Sequence, residues 1–439
     1  MKRLLFTFSI LLNLQVFAQQ STSSQLNAEE KEILNYIDQN MPRAIALLKE
    51  TVDINSGTLN IEGVKKVGAI FTREFEKAKF KTEWITMPDS LKRAGHLVAT
   101  IGFDKKQKSP TAKKLFLIGH LDTVFEPDMP LSPFSMLNDS VATGQGVYDM
   151  KGGDVIMVIA LQALQQQGLL NNADIIAYLT GDEESSGRPR QVSRGHFMEA
   201  AQKTDVALGF ESAHGLNTIA TARRGSSSWS LKVSGKTGHS ASVFTESGGY
   251  GAIYEAARIV NAFRETLSSE KYLTFNPGLF VGGSEVDYQK SAAKASALGK
   301  TNIVSPDALV TGDLRFLTEA QKMEARKTMT SIVQNNLAGT KATITFSDGI
   351  PSMEPTPGNR KLLEVISGVT NDLGLGPAIE GDPGSRGAGD VSYIAQFVDA
   401  VDGMGASGKG AHAPGETINL KEFPHLIKRA ALTIYRLTR

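Results

Sequence analysis

The chain has 439 residues, 41% of them hydrophobic, 21% charged and 7% aromatic. That globular composition excludes a wholly disordered chain, collagen or an extended coiled coil. The 47 Lys and Arg balance 46 Asp and Glu for a formal charge of +1, so there is no basic excess to hold nucleic acid and no acidic tail. Cysteine is absent, which excludes a disulfide framework, thiolate metal sites and a cysteine nucleophile; any metal must sit on His, Asp and Glu.

Lys2 and Arg3 precede an apolar run, Leu4 to Val16, that is short for a bilayer span and leads into Val16-Phe17-Ala18. This is the pattern of a cleaved secretory leader, with a membrane anchor as the other reading. Residues 1–18 are expected to be a signal peptide, and the protein to be secreted or periplasmic and free of the membrane after cleavage. Gln19 to Gln25 reads as a polar leader to the mature chain. Zero cysteines suit an oxidising compartment.

From Asn27 to Ser56 the apolar spacing predicts helix, broken at Pro42. Leu97 to Ile101 and Leu115 to Ile118 predict strands, the second an unbroken apolar run as in a strand buried on both faces. Asn138 to Thr143 makes no convincing strand. Gly152 to Gln167 predicts a helix stopped by Gly168. Ile175 to Leu179 and Val206 to Phe210 predict further buried strands. Alternating strands and helices predict an α/β fold on a mostly parallel sheet.

The pattern changes after about Gly225. Ser228 to Val233 alternates like a half-exposed strand, Tyr250 to Leu267 is helical, and Ala308 to Phe316 (strand), Thr318 to Leu337 (helix) and Ala342 to Phe346 (strand) follow. Tyr288 to Thr301, rich in Ala, Ser and Lys, reads as a surface excursion. From Arg360 the α/β pattern returns, with helices at Lys361 to Asp372 and Leu420 to Leu437. The simplest organisation is a large α/β domain, 19–224 and 349–439, interrupted by a smaller α+β domain at 225–348.

The chemistry-bearing residues cluster where predicted strands end, which is where open α/β sheets build their sites. Gly119-His120-Leu121-Asp122 follows the strand at 115–118. His120 there is either a strand-end imidazole satisfied locally or a metal ligand whose second ring nitrogen Asp122 holds. Gly144 to Gly153 contains Asp149 at a helix start. It lacks the third glycine of a dinucleotide loop, leaving an N-capping Asp or a metal ligand. Asp182-Glu183-Glu184 follows the strand at 175–179 and is either a solvated acidic loop or a ligand beside a general base. Glu211 ends another strand, and His412 lies in the glycine-rich stretch Gly410 to Glu416. Taken together, His120, Asp149, Glu184, Glu211 and His412 supply two imidazoles and three carboxylates. That set suits two zinc ions with one bridging carboxylate, about 3.5–4 Å apart, able to activate water and polarise a carbonyl.

These motifs, together with Gly235 to His239, Asp313 to Phe316 and Gly387 to Asp390, resemble the M20 metallopeptidases, most of all their glutamate carboxypeptidase (carboxypeptidase G-like) branch. The resemblance runs in order over nearly the whole mature chain. It implies a dizinc exopeptidase-type catalytic domain with an inserted, ferredoxin-like lid and dimerisation domain. One zinc would take His120 and Glu211, the other Glu184 and His412, with Asp149 bridging; cobalt or manganese could replace zinc in the same ligands. Asp122 would orient His120, and Glu183 would be the general base. A cis Asp149–Met150 peptide is also implied. His239 matches a lid histidine that stabilises the oxyanion, often across a homodimer, with a surface histidine as the alternative. Arg315 matches an arginine that holds the substrate carboxylate, with a strand-surface charge as the alternative. The glutamate-releasing members carry a further arginine where this chain has Asp348 to Pro351; Arg386, standing where many relatives have glycine, is the candidate replacement. Arg223 and Arg224 at the first hinge are either carboxylate-reaching or solvated.

The resulting expectation is an exported exopeptidase that releases a C-terminal amino acid, glutamate being one candidate, from small peptides or N-acyl amino acids. The alternatives are an aminoacylase, deacylase or dipeptidase on the same scaffold, and a binding protein that has lost catalysis. The last would be marked by loss of a ligand or the base, and all are present. No G-x-S-x-G elbow points to a serine hydrolase.

Overall fold

The computed structural model describes residues 26–103 and 109–439; the expected signal peptide lies outside the described residues. The main sheet has six strands, in the spatial order Lys81–Ile85, His96–Ile101, Ile175–Thr180, Leu115–His120, Val206–Gly209 and Asp399–Val401. The last four run parallel, and the first two add an antiparallel edge. Leu115–His120 and Ile175–Thr180 are buried at every residue, as their unbroken apolar runs require. Helix Lys151–Gln166 is buried from Lys151 to Gln165. It is apolar nearly all round because the sheet, the opening helices and the last helix, Phe423–Leu437, surround it. At the N-terminal end the predicted break at Pro42 separates helices Ala28–Gln39 and Met41–Val52, the proline sitting where its missing N–H costs nothing.

Between residues 225 and 348 the chain builds a separate layer. Its strands Gly225–Gly235, Thr274–Gly283, Asp307–Phe316 and Thr340–Asp348 are antiparallel in the order second, third, first, fourth. Helices Ala252–Leu267 and Glu319–Gln334 pack on one face. This is the ferredoxin-like arrangement, with its own core around Trp229, Leu231, Phe263 and Met329. The outgoing and returning hinges run side by side: Arg223 N–H donates to Met353 O at 2.9 Å, and Met353 N–H returns to Arg223 O at 3.0 Å.

Three local expectations change. Ser135–Asn138 and Val141–Thr143 do form strands, because Val141–Thr143 pairs with Thr417–Asn419 from the far end of the chain; weak local propensity yields to a long-range partner. The segment after Gly283 is a hairpin, Glu285–Gln289 with Lys294–Leu298, still largely exposed. Thr274–Gly283, not picked out by its pattern, is a strand at the sheet edge, where Pro277 is tolerated beside a bulge. No helix among the described residues is long and apolar enough to cross a membrane.

Candidate active site and metal centre

Three parallel strands bring three motifs to one edge. Leu115–His120 lies between Ile175–Thr180 and Val206–Gly209, so His120, the acidic loop 182–184 and Glu211 emerge together although 91 positions separate the first from the last. His120 is 1% exposed. Its Nδ1 lies 3.0 Å from the backbone carbonyl of Asp122 and 3.5 Å from that residue's carboxylate. An Nδ1–H held by the carbonyl leaves Nε2 free to face the cluster. The Asp122 carboxylate has a second task. It accepts the backbone N–H of Glu183 at 3.0 Å and of Glu184 at 3.1 Å, and the Thr58 hydroxyl at 2.6 Å, so it ties two strand ends together.

Asp149 sits between the two histidines. Its Oδ1 is 3.3 Å from His120 Nε2 and its Oδ2 is 3.1 Å from His412 Nε2. Glu211 lies 3.7 Å from His120 Nε2, and Glu184 lies 3.2 Å from His412 Nε2. Two sets of donor atoms share Asp149: His120, Asp149 and Glu211; and Asp149, Glu184 and His412; a third brings His120 together with Glu183 and Glu184. The Asp149–Met150 peptide is cis. Glu416 shapes the loop, its carboxylate accepting N–H from Gly146 (3.1 Å), Tyr148 (2.6 Å) and Asp149 (2.8 Å). Gly153 allows the helix start to approach Glu211, since a Cβ there would lie 2.1 Å from the Phe210 carbonyl.

The electrostatics suit a positive guest. Glu183 is pushed well above the usual carboxylate range by burial and then by Glu211. Burial and Asp149 push Glu211 up to about 7. Burial also raises Glu184, against the pull of His412, and its Oε1 is buried without a hydrogen-bond partner. His412 is pushed up to about 11 by its bonds to Asp149 and Glu184. Burial opposes ionisation of Asp149, but His120 and His412 outweigh it and hold the carboxyl low. Carboxylates crowded out of water around two imidazoles fit two divalent cations with N and O ligands.

Several buried groups that support the site had no role in the sequence reading. Arg194 is fully buried and bridges Asp182 and Asp390. Asp182 also accepts Gly187 N–H at 2.8 Å and the Ser193 hydroxyl at 2.7 Å, and Asp390 accepts the Thr180 hydroxyl at 2.6 Å. These bonds clamp the acidic loop from behind. Arg223, read from the sequence as carboxylate-reaching or solvated, is instead buried: it pairs with Asp402 and donates to Gly387 O, so it braces the hinge. Asp182, Asp390 and Glu416 stood inside motifs already singled out; Arg194 gave no local clue.

The remaining candidates separate. Arg386 is 9% exposed, donates to Ser212 O at 2.5 Å and lies in the field of Glu211, Arg223 and Tyr148. Arg224 donates to Gly384 O and Thr274 Oγ1. Arg315 sits on the inserted sheet, paired with Asp313 at 2.6 Å. His239 is exposed in a two-residue bridge with Ile303, its Nδ1 accepting the Ala241 N–H. Neither Arg315 nor His239 touches the cluster in the single chain.

The model of peptidase family M20/M25/M40 matches residues 116–436. The chain belongs to this family. Among curated proteins it is 26% identical over 398 residues to carboxypeptidase G2 of a Pseudomonas species, covering 90% of this chain and 89% of the relative. It is 25% identical over 411 residues to succinyl-diaminopimelate desuccinylase of Psychromonas ingrahamii, covering 90% and 98%. The aminopeptidase PepT structure from Bacillus cereus superposes with a TM-score of 0.72 at 19% identity, over 91% of this chain and 99% of that one. The Bacillus subtilis YXEP protein, described as a dinuclear metal-binding M20 peptidase, gives 0.61 at 14% identity over 91% and 99%. This M20 protein is thus a hydrolase of a dinuclear metal peptidase family, with candidate ligands in two sets joined by one carboxylate.

Proposed function

We propose that this M20 protein is an exported, zinc-dependent exopeptidase that releases a C-terminal amino acid from a small peptide or N-acyl amino acid. The observation that carries the reading is the pair of ligand sets sharing Asp149, with Glu183 half-buried beside them. His120 and Glu211 would hold one zinc, Glu184 and His412 the other, and Asp149 would bridge. Zinc at these ligands supplies Lewis acidity toward the carbonyl and makes water more acidic. Glu183 takes the proton of the attacking water as its oxygen adds to the carbonyl carbon. It then delivers that proton to the amine nitrogen as the C–N bond breaks. Its raised proton affinity suits both halves of the task. The Asp122 carboxylate fixes the backbone of Glu183 and so the position of the base. Arg386 is the favoured holder of a substrate carboxylate, since it is buried at the Glu211 edge. Arg315 and His239 would reach substrate only through lid movement or from a second copy of the chain. Residues 1–18 would direct export.

The test is amine release by the zinc-loaded mature protein from N-acyl glutamates, neutral dipeptides and acetylated amino acids, with Glu183→Gln alongside. Release from C-terminal glutamates, abolished in a variant that still binds two metals, is the expected result. Release only from acetylated or neutral substrates would favour the deacylase or dipeptidase alternative, to which the desuccinylase likeness lends weight. No release from a doubly loaded protein would sink the hydrolytic assignment for this chain.

A further inference from the structure

Behind the acidic loop a cavity of about 370 Å³ lies between helix Arg190–Ala201, Tyr393 and the returning hinge at Asp348, Gly349 and Pro351. Arg188, Arg190 and Arg194 line it. Arg194 is committed to Asp182 and Asp390, whereas Arg188 and Arg190 enter no ion pair among the described residues, and Arg190 Nε is buried without a hydrogen-bond partner. The helix opens at this point with Pro189 as its N-cap and no side-chain cap; Val192 and Ser193 N–H donate to Pro189 O, which leaves the Arg190 and Gln191 N–H groups and the partial positive charge of the helix start without an acceptor. An independent feature points the same way. Tyr393 is 6% exposed, lines the cavity, and its hydroxyl is buried with no partner. The one acid on the lining, Asp348, is held by Lys322 and Arg326 from the inserted helix.

We propose that this cavity binds an oxyanion group, a carboxylate or a phosphate, held by Arg188, Arg190, the Arg190 and Gln191 N–H groups and the Tyr393 hydroxyl. Arg190 Nε and the open helix start are donors without protein acceptors, and the exposed Arg188 adds a second guanidinium free of any ion pair among the described residues, the chemistry that selects such an anion. The place matters for the reaction. Through Arg194 the cavity adjoins the clamp on the loop bearing Glu183 and Glu184, and through Gly349 it adjoins the hinge of the inserted domain. The anion has two sources: an acidic group on the acyl side of the substrate, or a free anion from solution. The first rests on the hydrolase reading; anion binding itself does not.

The experiment titrates inorganic phosphate calorimetrically into the zinc-loaded full chain, the Arg188→Gln/Arg190→Gln double variant and Tyr393→Phe, with thermal melts as the check on folding. The expected result is a site weakened at least tenfold in the double variant and by a smaller factor in Tyr393→Phe. Amine release from substrates with and without an acyl-side carboxylate then assigns the source. A tenfold fall in relative kcat/KM for the acid-bearing substrate in the double variant identifies the substrate's own group; an unchanged ratio with lost phosphate binding identifies a free anion. Equal phosphate affinity in all three folded proteins, as binding at the metal centre alone would give, overturns the proposal. Absence of amine release would strike the hydrolase reading and leave the phosphate result standing.

Discussion

The main domain and the inserted domain solve different problems with the same kinds of element. The inserted sheet alternates buried and exposed residues along Gly225–Gly235, and Thr340–Asp348 has no fully buried residue. Among the described residues from 225 to 348, only Ser227 and Glu255 are buried polar groups. The main domain buries Glu74, Asp122, Asp149, Lys151, Asp154, Asp182, Arg194, Arg223, Asp390, Asp402, Glu416 and Arg429. The inserted layer keeps nearly all its charges in water, where they cost little, and pairs the buried Glu255 with Arg258. A domain that presents carboxylates in a fixed arrangement takes them out of water and partners most of them; Asp154, whose two oxygens have no hydrogen-bond partner, is held toward its neutral form by burial.

That contrast can be broken by mutation, and the largest effect is expected at Arg194. Arg194→Met leaves Asp182 and Asp390 buried without their cation, and urea unfolding should show a loss of about 3–5 kcal/mol. A loss below 1 kcal/mol would mean that the buried charges of the main domain are no more demanding than those of the inserted one. Next is Glu416→Gln, which weakens the acceptor for three loop N–H groups, that of Asp149 among them, without replacing a proposed ligand. Competition with a chelator should show metal affinity lowered by about 10–100-fold, with secondary structure retained by circular dichroism.

Glu74 sharpens the comparison through pH. Burial pushes its carboxyl up from 4.5, but bonds from Lys77, Gln162 and Arg73 outweigh this and hold it at about 2. A carboxyl whose folded value is depressed stabilises the protein above its unfolded value and loses that contribution as pH falls. The three cations around it, Arg43, Arg73 and Lys77, are each more than a third exposed, so screening reduces the contribution to about 1–2 kcal/mol. Glu74→Gln should therefore be less stable than the native protein at pH 7, with the gap closing between about pH 5 and pH 2. A gap independent of pH would show that packing, not charge, makes the difference. The smallest effect is expected in the inserted domain. Arg315→Ala removes an exposed strand-surface pair with Asp313 and should shift stability by no more than about 0.5 kcal/mol in thermal melts.

Much of this molecule was legible before any coordinates. Continuous apolar runs at 115–118 and 175–179 announce strands covered on both faces, and the change to alternation after Gly225 announces a sheet with one wet side. Both follow from local periodicity, which a linear sequence carries in full. The same logic put His120, Asp149, the 182–184 acids and Glu211 at strand ends or helix starts, and His412 in a glycine-rich stretch near the end of the chain.

Only the tertiary structure decided how those residues divide the work. The Asp122 carboxylate holds the backbone of Glu183 and Glu184, while its carbonyl meets His120. Glu416 closes on a loop 267 positions away. Arg194, on an ordinary helix, neutralises acids from two distant segments. Val141–Thr143 becomes a strand because Thr417–Asn419 arrives beside it. Arg315 and His239, matched by motif, stand on a layer that does not reach the cluster in one chain. Each depends on which segments meet, and an ion pair or ladder between residues hundreds of positions apart leaves no periodicity in either one. Sequence alone therefore determined most element types and the chemical inventory, and the packing determined which of those side chains meet and which brace one another.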